Sequence, residues 1–427
     1  MPGISLLTFV YTCLHRTEPR NKNRLLLGKG KLMKWPADRL SNTSPKSFGI
    51  YEKAMSMVEQ GIDVIHLEVG RPSFDTPQHI KDAAKQALDD GLVHYGEFPG
   101  TLKFRQALSE KLKATNNITA EPDEILITSG LTQGAFITCI TAIDPGDEVI
   151  VLGPYYPQHF NKVELAGGKI IVVPLDAKKG YQLDAEAIES SVTDKTRMII
   201  LVNPTNPTGC VFTRPELEEL AAIAIKHDLL VICDEVYEQI IYDNSAHTSL
   251  ASLPGMYERT ISLFAFTKGY AMDGWRMGYA VACEKFMKDL PKVSMNDMAH
   301  VNVFIQEGGF AAITGDQKCV QDMVAQDLPR RDLVCSRLAA MSNVSCNLPE
   351  ASIYAFPNVS TFGIPTKELT EEILEKTHVA CEAGSFYGDC GEGHLRICFG
   401  AELYDRLELA MDKLAEFFAL KSKSLNQ

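Results

Sequence analysis

Met198-Ile199-Ile200-Leu201-Val202-Asn203-Pro204-Thr205-Asn206-Pro207-Thr208-Gly209 decides the architecture: an unbroken apolar run halts in a turn of Asn, Pro, Thr and Gly. A strand with one face in water alternates apolar and polar residues, so a run apolar throughout belongs to a strand covered on both faces. That points to a mostly parallel sheet with helices above and below. The same unit recurs at 125–127, 149–152, 170–173, 229–233, 261–264 and 279–282, separated by longer amphipathic stretches. This rhythm predicts a doubly wound α/β domain over residues 76–310. Beyond it come long helical segments, strand-like regions at 352–357 and 394–399, and a last helix over 406–420. That helix is expected to place Leu407, Leu409, Ala410, Leu414, Phe417 and Phe418 on one face. These make a smaller α+β domain over 311–427, which the 35–75 segment is expected to join. Within that segment, 51–61 has helical spacing with Gly61 as its C-cap, and 63–69 turns sharply at Gly70-Arg71-Pro72.

At 427 residues, 45% hydrophobic and 23% charged, the composition is that of a folded globular chain. The net charge of −13 offers no electrostatic footprint for a phosphate backbone, so nucleic acid is excluded as a partner. Eleven scattered cysteines without a Cys-x-x-Cys pair, and no His-Glu-x-x-His, argue against a disulfide framework and against a metal. The cysteines read as reduced thiols in a cytoplasmic protein. No run reaches the roughly 18 apolar residues of a bilayer span, so no membrane partner is expected. Residues 1–34 differ from the rest, carrying +6 against −19 for the remainder. They read as a disordered basic arm, or as an extension upstream of a natural start at Met33. The apolar stretch 4–14 resembles a signal segment, but its charges follow rather than precede it.

In an open α/β sheet, ligands bind beyond the carboxyl ends of the strands. There the chain places Thr128-Ser129-Gly130-Leu131-Thr132, a small-residue turn opening a helix and suited to an anion. Next come Tyr155-Tyr156, an aromatic face; Asn206; Asp234 with Tyr237; Lys268; and Arg276 within Gly274-Trp275-Arg276-Met277-Gly278. Taken singly, each has an ordinary structural reading: a cap, a packing ring, a solvated charge. Taken in order along one sheet, they supply what pyridoxal 5'-phosphate needs: an amine for its aldehyde, a carboxylate for its ring nitrogen, donors to its phenolate oxygen, an aromatic cover and a phosphate cup.

The motifs Asn-Pro-Thr-Asn-Pro-Thr-Gly, Asp-Glu-Val-Tyr, Lys followed by Gly-Trp-Arg-Met-Gly, and the late His-Leu-Arg-Ile resemble those of fold type I pyridoxal-phosphate enzymes. Within these, the chain is similar to the class I/II aminotransferases of the aspartate and aromatic subgroup, over about residues 35–420. The resemblance implies that Lys268 is the Schiff-base lysine and proton carrier. It implies that Asp234 pairs with the ring nitrogen, Asn206 and Tyr237 with the phenolate oxygen, and Tyr156 with the ring face. Ser129, Gly130, Leu131, Thr132 and Arg276 would hold the phosphate, Gly70 would close over the substrate, and Arg396 would grip its α-carboxylate. Tyr95, in Tyr-Gly-Glu-Phe-Pro-Gly, matches a tyrosine reaching a neighbouring subunit's phosphate, which implies a homodimer with shared active sites.

The chain departs from that pattern at three positions. Relatives usually carry Ser where Ala265 stands, so one phosphate hydrogen bond is expected to be missing or met by Thr267. Asp273 replaces a common Thr and could meet a cationic side chain. Arg71 stands where an acid is frequent and could meet a distal carboxylate, or be only a solvated loop charge. The leading expectation is a transaminase moving an amino group between an L-amino acid and a 2-oxo acid. The alternative within the same cofactor chemistry is a lyase or cyclase acting on a modified amino acid such as a hydroxylated arginine, with capreomycidine- or enduracididine-type ring formation. A regulator that binds the cofactor without turnover is a third reading, and the chain lacks the appended DNA-binding domain expected of one.

Overall fold

Along the chain of the computed structural model the strands are β1 (Ile65–His66), β2 (Ile125–Thr128), β3 (Glu148–Gly153), β4 (Lys169–Pro174), β5 (Thr196–Val202), β6 (Leu230–Asp234), β7 (Thr260–Ala265), β8 (Gly278–Val281), β9 (Tyr354–Ala355), β10 (Val379–Ala380), β11 (Glu382–Ala383) and β12 (Leu395–Cys398). Residues 35–41 and 49–425 are described; the basic arm expected at 1–34 lies outside them. Residues 1–42 and 43–427 form separate units, and in the first the described part is a short helix, Asp38–Ser41.

Seven strands form one sheet in the order β2-β8-β7-β6-β5-β3-β4. Every pairing is parallel except those of β8, which runs antiparallel to both β2 and β7. All seven runs read from the sequence are strands of this sheet. In β5 the residues Met198, Ile199, Ile200 and Leu201 are at most 1% exposed. Burying one such side chain stabilises the fold by about 1.5–3 kcal/mol, so this strand is a principal anchor of the core. The edge strand β4 is the exception, half exposed and carrying Lys169 and Pro174 at its ends, which discourages pairing with another chain. The helix Gly130–Ala142 is apolar on nearly all sides because it packs between β7 and β8 and the helices Pro157–Ala166 and Leu290–Asp297.

The register of β8 is what assembles the anion end of the site. Gly278 pairs with Thr128 of β2 and with Ala265 of β7, so Arg276, two residues upstream, is returned to the turn that follows β2.

A second group of elements contains the parallel pair β1 and β10 and the three-stranded antiparallel sheet β11-β12-β9. The chain leaving β1 wedges between them: Leu67 N–H donates to Ala380 O, and Cys398 N–H donates to Leu67 O. Ile65, Tyr354, Ile397, Phe399, Leu407, Leu414 and Phe418 share one core, which Tyr237 and Tyr242 enter from the end of β6. The last helix runs Tyr404–Leu425 and buries Leu407, Ala410, Met411, Leu414, Phe417 and Phe418. Leu409, expected on that face, is 42% exposed. Two residues on from Leu407 it points about 200° round the helix, and Met411 takes the inward place.

Candidate active site

Lys268 lies three residues beyond β7, and its Nζ donates to the carbonyl of Gly70. Gly70 is required at this approach: a Cβ there would fall 2.0 Å from Tyr354 Oη. Asp234, the last residue of β6, is 3% exposed. Its carboxylate accepts from His159 Nε2 at 2.8 Å and from the Val236 N–H at 3.2 Å. His159 is itself buried, and desolvation holds its pKa below the ordinary value. The neutral imidazole therefore keeps its proton on Nε2, facing the carboxylate, and leaves the buried Nδ1 without a partner. His159 follows Tyr156 by three residues at the start of one helix, and the two rings meet edge to face at 5.4 Å.

Asn206 joins two groups. Its Nδ2 donates to Tyr237 Oη at 3.4 Å, while its Oδ1 accepts from Arg396 Nη1 at 3.3 Å. Tyr237 Oη lies 2.9 Å from Tyr354 Oη, and both phenols are buried. Desolvation raises the Tyr237 phenol well above its ordinary pKa, so it stays protonated and able to donate. Arg396, on β12, is 7% exposed; its Nη2 donates to Glu68 O, and its buried Nε has no partner. The guanidinium lies over the rings of Tyr354 and Tyr387 at 4.4 and 5.1 Å, a cation–π cage that restrains it.

At the other end, Gly130 adopts φ +73, and a Cβ there would come 2.5 Å from Arg276 Nη2. Arg276, itself at φ +55, donates from Nη1 to Asp273 O at 2.9 Å. The Ser129 N–H is bonded to Gln133 Oε1 at 2.6 Å, and Gln133 Nε2 donates to Asp297 Oδ2 at 2.9 Å. Leu131 is buried, and exposed Thr132 reaches Gln158 Oε1 at 3.5 Å. Ala265 closes β7 with no hydroxyl to offer, and Thr267 is half-buried.

Contacts thus tie Lys268 to Gly70, Asn206 to Tyr237 and Arg396, and Arg276 to Gly130 and Asp273. Arg71 and the Asp273 carboxylate are exposed, and neither forms a side-chain hydrogen bond or ion pair among the described residues. Tyr95 is 89% exposed and meets the His300 ring edge to face at 5.5 Å. Sequence reading missed His159, Tyr354, Tyr387, Glu68 and Glu382. The Tyr156-Pro157-Gln158-His159 spacing could have disclosed His159, since i and i+3 share a helix face. The other four carry no local signal.

The donor set fits pyridoxal phosphate. A positive-φ glycine leaves room beside a guanidinium, a buried carboxylate is hydrogen-bonded by a neutral imidazole, and an amine, an amide and a protonated phenol gather nearby. Among the described residues, no group of His, Cys, Asp and Glu could hold a metal ion.

Comparison with known proteins agrees. The family described as aminotransferase class I and II matches residues 62–412. An aspartate aminotransferase of Pyrococcus abyssi is 39% identical over 392 residues, covering 91% of this chain and 99% of that protein. Aromatic-amino-acid aminotransferase 2 of Thermococcus litoralis is 37% identical, with coverage of 91% and 99%. The solved aromatic aminotransferase of Pyrococcus horikoshii superposes with a TM-score of 0.82 at 39% identity, over 87% of this chain and 100% of that one. The chain therefore belongs to the class I and II aminotransferase family, whose members of this type use pyridoxal 5'-phosphate to move an amino group between amino acids and 2-oxo acids.

Proposed function

We propose that this aminotransferase works through Lys268, Asp234, Tyr237, Asn206, Arg276 and Arg396 in the following roles. Bound pyridoxal phosphate supplies a protonated, electron-withdrawing ring that acidifies the substrate Cα–H. Asp234, oriented by His159, holds the positive charge at the ring nitrogen. Tyr237 and Asn206 donate to the phenolate oxygen, and Tyr156 covers the ring. The Gly130 turn and Arg276 hold the phosphate, with Ser129, Leu131 and Thr132 beside them. Lys268 Nζ would hold the cofactor through its aldehyde and, when free, would be the group that takes up and returns the substrate Cα proton. Arg396 binds the α-carboxylate as a fork, and Gly70 closes the approach above it.

The observation that carries this reading is Asn206, which bonds a cofactor-side phenol and the substrate-side guanidinium at once. A 2-oxo acid is the amino acceptor, and exposed Arg71 favours partners with a distal carboxylate, in keeping with the aspartate specificity in one relative's name. Residues 49–75 and 311–425 form a smaller domain on 76–310, supported by the β1–β10 pairing. The enzyme is a homodimer. In support, Leu92, Val93 and Tyr95 are exposed along an open groove shared with His300, Val303 and Phe304. A cytoplasmic setting belongs to this reading, in keeping with the free cysteines among the described residues.

The test is a panel of amino acids, with and without 2-oxoglutarate, read by mass spectrometry. Amino transfer requires the acceptor, whereas product without it indicates elimination or cyclisation instead. In parallel, borohydride should fix a pyridoxyl group at Lys268, and Lys268→Ala should lose at least about a thousandfold in rate. Adduct at another lysine overturns the assignment.

A further inference from the structure

Glu382 is 5% exposed and lies directly across from Arg396 in the β11–β12 pairing. Opposed residues of antiparallel strands share a face, with Cβ atoms about 4.5–5.5 Å apart. The Glu382 carboxylate accepts one hydrogen bond, from the Ala383 N–H at 3.2 Å, and forms no ion pair among the described residues. A Cβ on Gly49 would come 2.3 Å from Glu382 Oε1, so the carboxylate is pressed against the backbone that leads into the helix Tyr51–Glu59. A second acid, Glu68, is 2% exposed; its Oε1 meets His66 Nδ1 at 2.8 Å, and its Oε2 has no partner. Among the described residues, the groups facing Glu382 are Arg396 from β12, Glu68 from the chain after β1, and the Tyr387 phenol. Cys381 is its neighbour on the strand. The helix Thr366–Thr377, packed against β11, buries Leu369, Ile373 and Leu374.

The guanidinium thus faces the Glu382 carboxylate across the strand pair, and the buried Glu68 carboxylate adds like charge beside Glu382, before any ligand arrives. A substrate carboxylate adds a third negative group, and so many like charges out of water do not all stay ionised. Glu68 already has the His66 ring as a donor, whereas Glu382 has only one backbone amide. Burial pushes the Glu382 carboxyl up to about 7, with Arg396 opposing the rise.

We propose that Glu382 takes a proton from bulk water as a substrate carboxylate binds Arg396 and returns it when the carboxylate leaves, making carboxylate binding proton-coupled. This rests on reading Arg396 as the carboxylate anchor. The acid is protonated in the ligand-bound state and ionised in the free state over a window above neutrality. Affinity for carboxylates therefore falls there by up to about tenfold per pH unit.

The test titrates the holoenzyme with maleate and with 3-phenylpropionate, carboxylates that carry no amino group, between pH 6 and 9. The wild type should weaken above about pH 7 with a limiting slope near one in log Kd. Glu382→Gln should lose most of that slope. An infrared difference spectrum of the wild type should show a protonated carboxyl band appearing on ligand binding. An unchanged slope in Glu382→Gln overturns the proposal, and so does the absence of the band in the wild type, which needs no variant to fold. Arg396→Lys separates the two readings. If it binds both ligands as the wild type does, the anchor assignment falls; if it loses them while Glu382→Gln keeps the slope, only the proton coupling falls.

Discussion

Lys162 shows how a single residue can run against the packing around it. Its ammonium is 5% exposed in the helix that carries His159, donates to Gln158 O at 2.9 Å, and has no carboxylate within ion-pair distance among the described residues. Burial lowers its pKa from 10.5 to about 8. The folded state therefore binds this proton less tightly than the unfolded chain. The resulting destabilisation is fully present below pH 8 and fades as the pH rises towards 10.5, at a scale of about 3 kcal/mol. Lys162→Met should stabilise the protein at pH 7 by about 1–3 kcal/mol, less the carbonyl hydrogen bond it gives up. Urea midpoints at pH 7 and pH 10 check this. The advantage of the variant must shrink at the higher pH, and an equal gain at both would assign it to packing alone.

Among the elements, the turn between β2 and the helix Gly130–Ala142 depends on one backbone angle. Gly130→Ala places a Cβ at positive φ and 2.5 Å from Arg276 Nη2, so the guanidinium must move away from the helix N-terminus. Losing one charge-assisted hydrogen bond at about 1.5–3 kcal/mol should weaken cofactor binding about tenfold to a hundredfold. Absorbance titration of the apoprotein with pyridoxal phosphate measures it, and unchanged affinity would remove the turn from the phosphate site. Such strand-end turns were legible in the sequence because a both-faces-covered strand is a continuous apolar run and its end is where polar residues resume. The helix face at Leu409 was misread because a short window of apolar residues does not fix the phase of the helix. His159 meets Asp234 across 75 residues, and Arg396 meets Glu68 across 328. Pairs so distant leave no periodicity to read. Glu382 looks like an ordinary charge in the sequence, and only the strand pairing reveals it as buried opposite a guanidinium.

For the whole molecule the open question is whether one chain suffices, and Tyr95 poses it most sharply. It is almost fully exposed, on a segment where Leu92 and Val93 also face outward, beside the edge of His300. A tyrosine so placed does little for the stability of its own chain, and in the proposed shared-site dimer it acts in the other copy. If sites are shared, Tyr95→Ala and Lys268→Ala are complementary defects: in a mixed dimer one site has both defects and the other has neither. Random reassociation of the two variants after mild denaturation should then restore about a quarter of wild-type activity, because half the dimers are mixed and each has one intact site. Each variant alone, carried through the same cycle, sets the baseline. No recovery beyond it, with mixed dimers verified by mass, would mean that Tyr95 acts within its own chain.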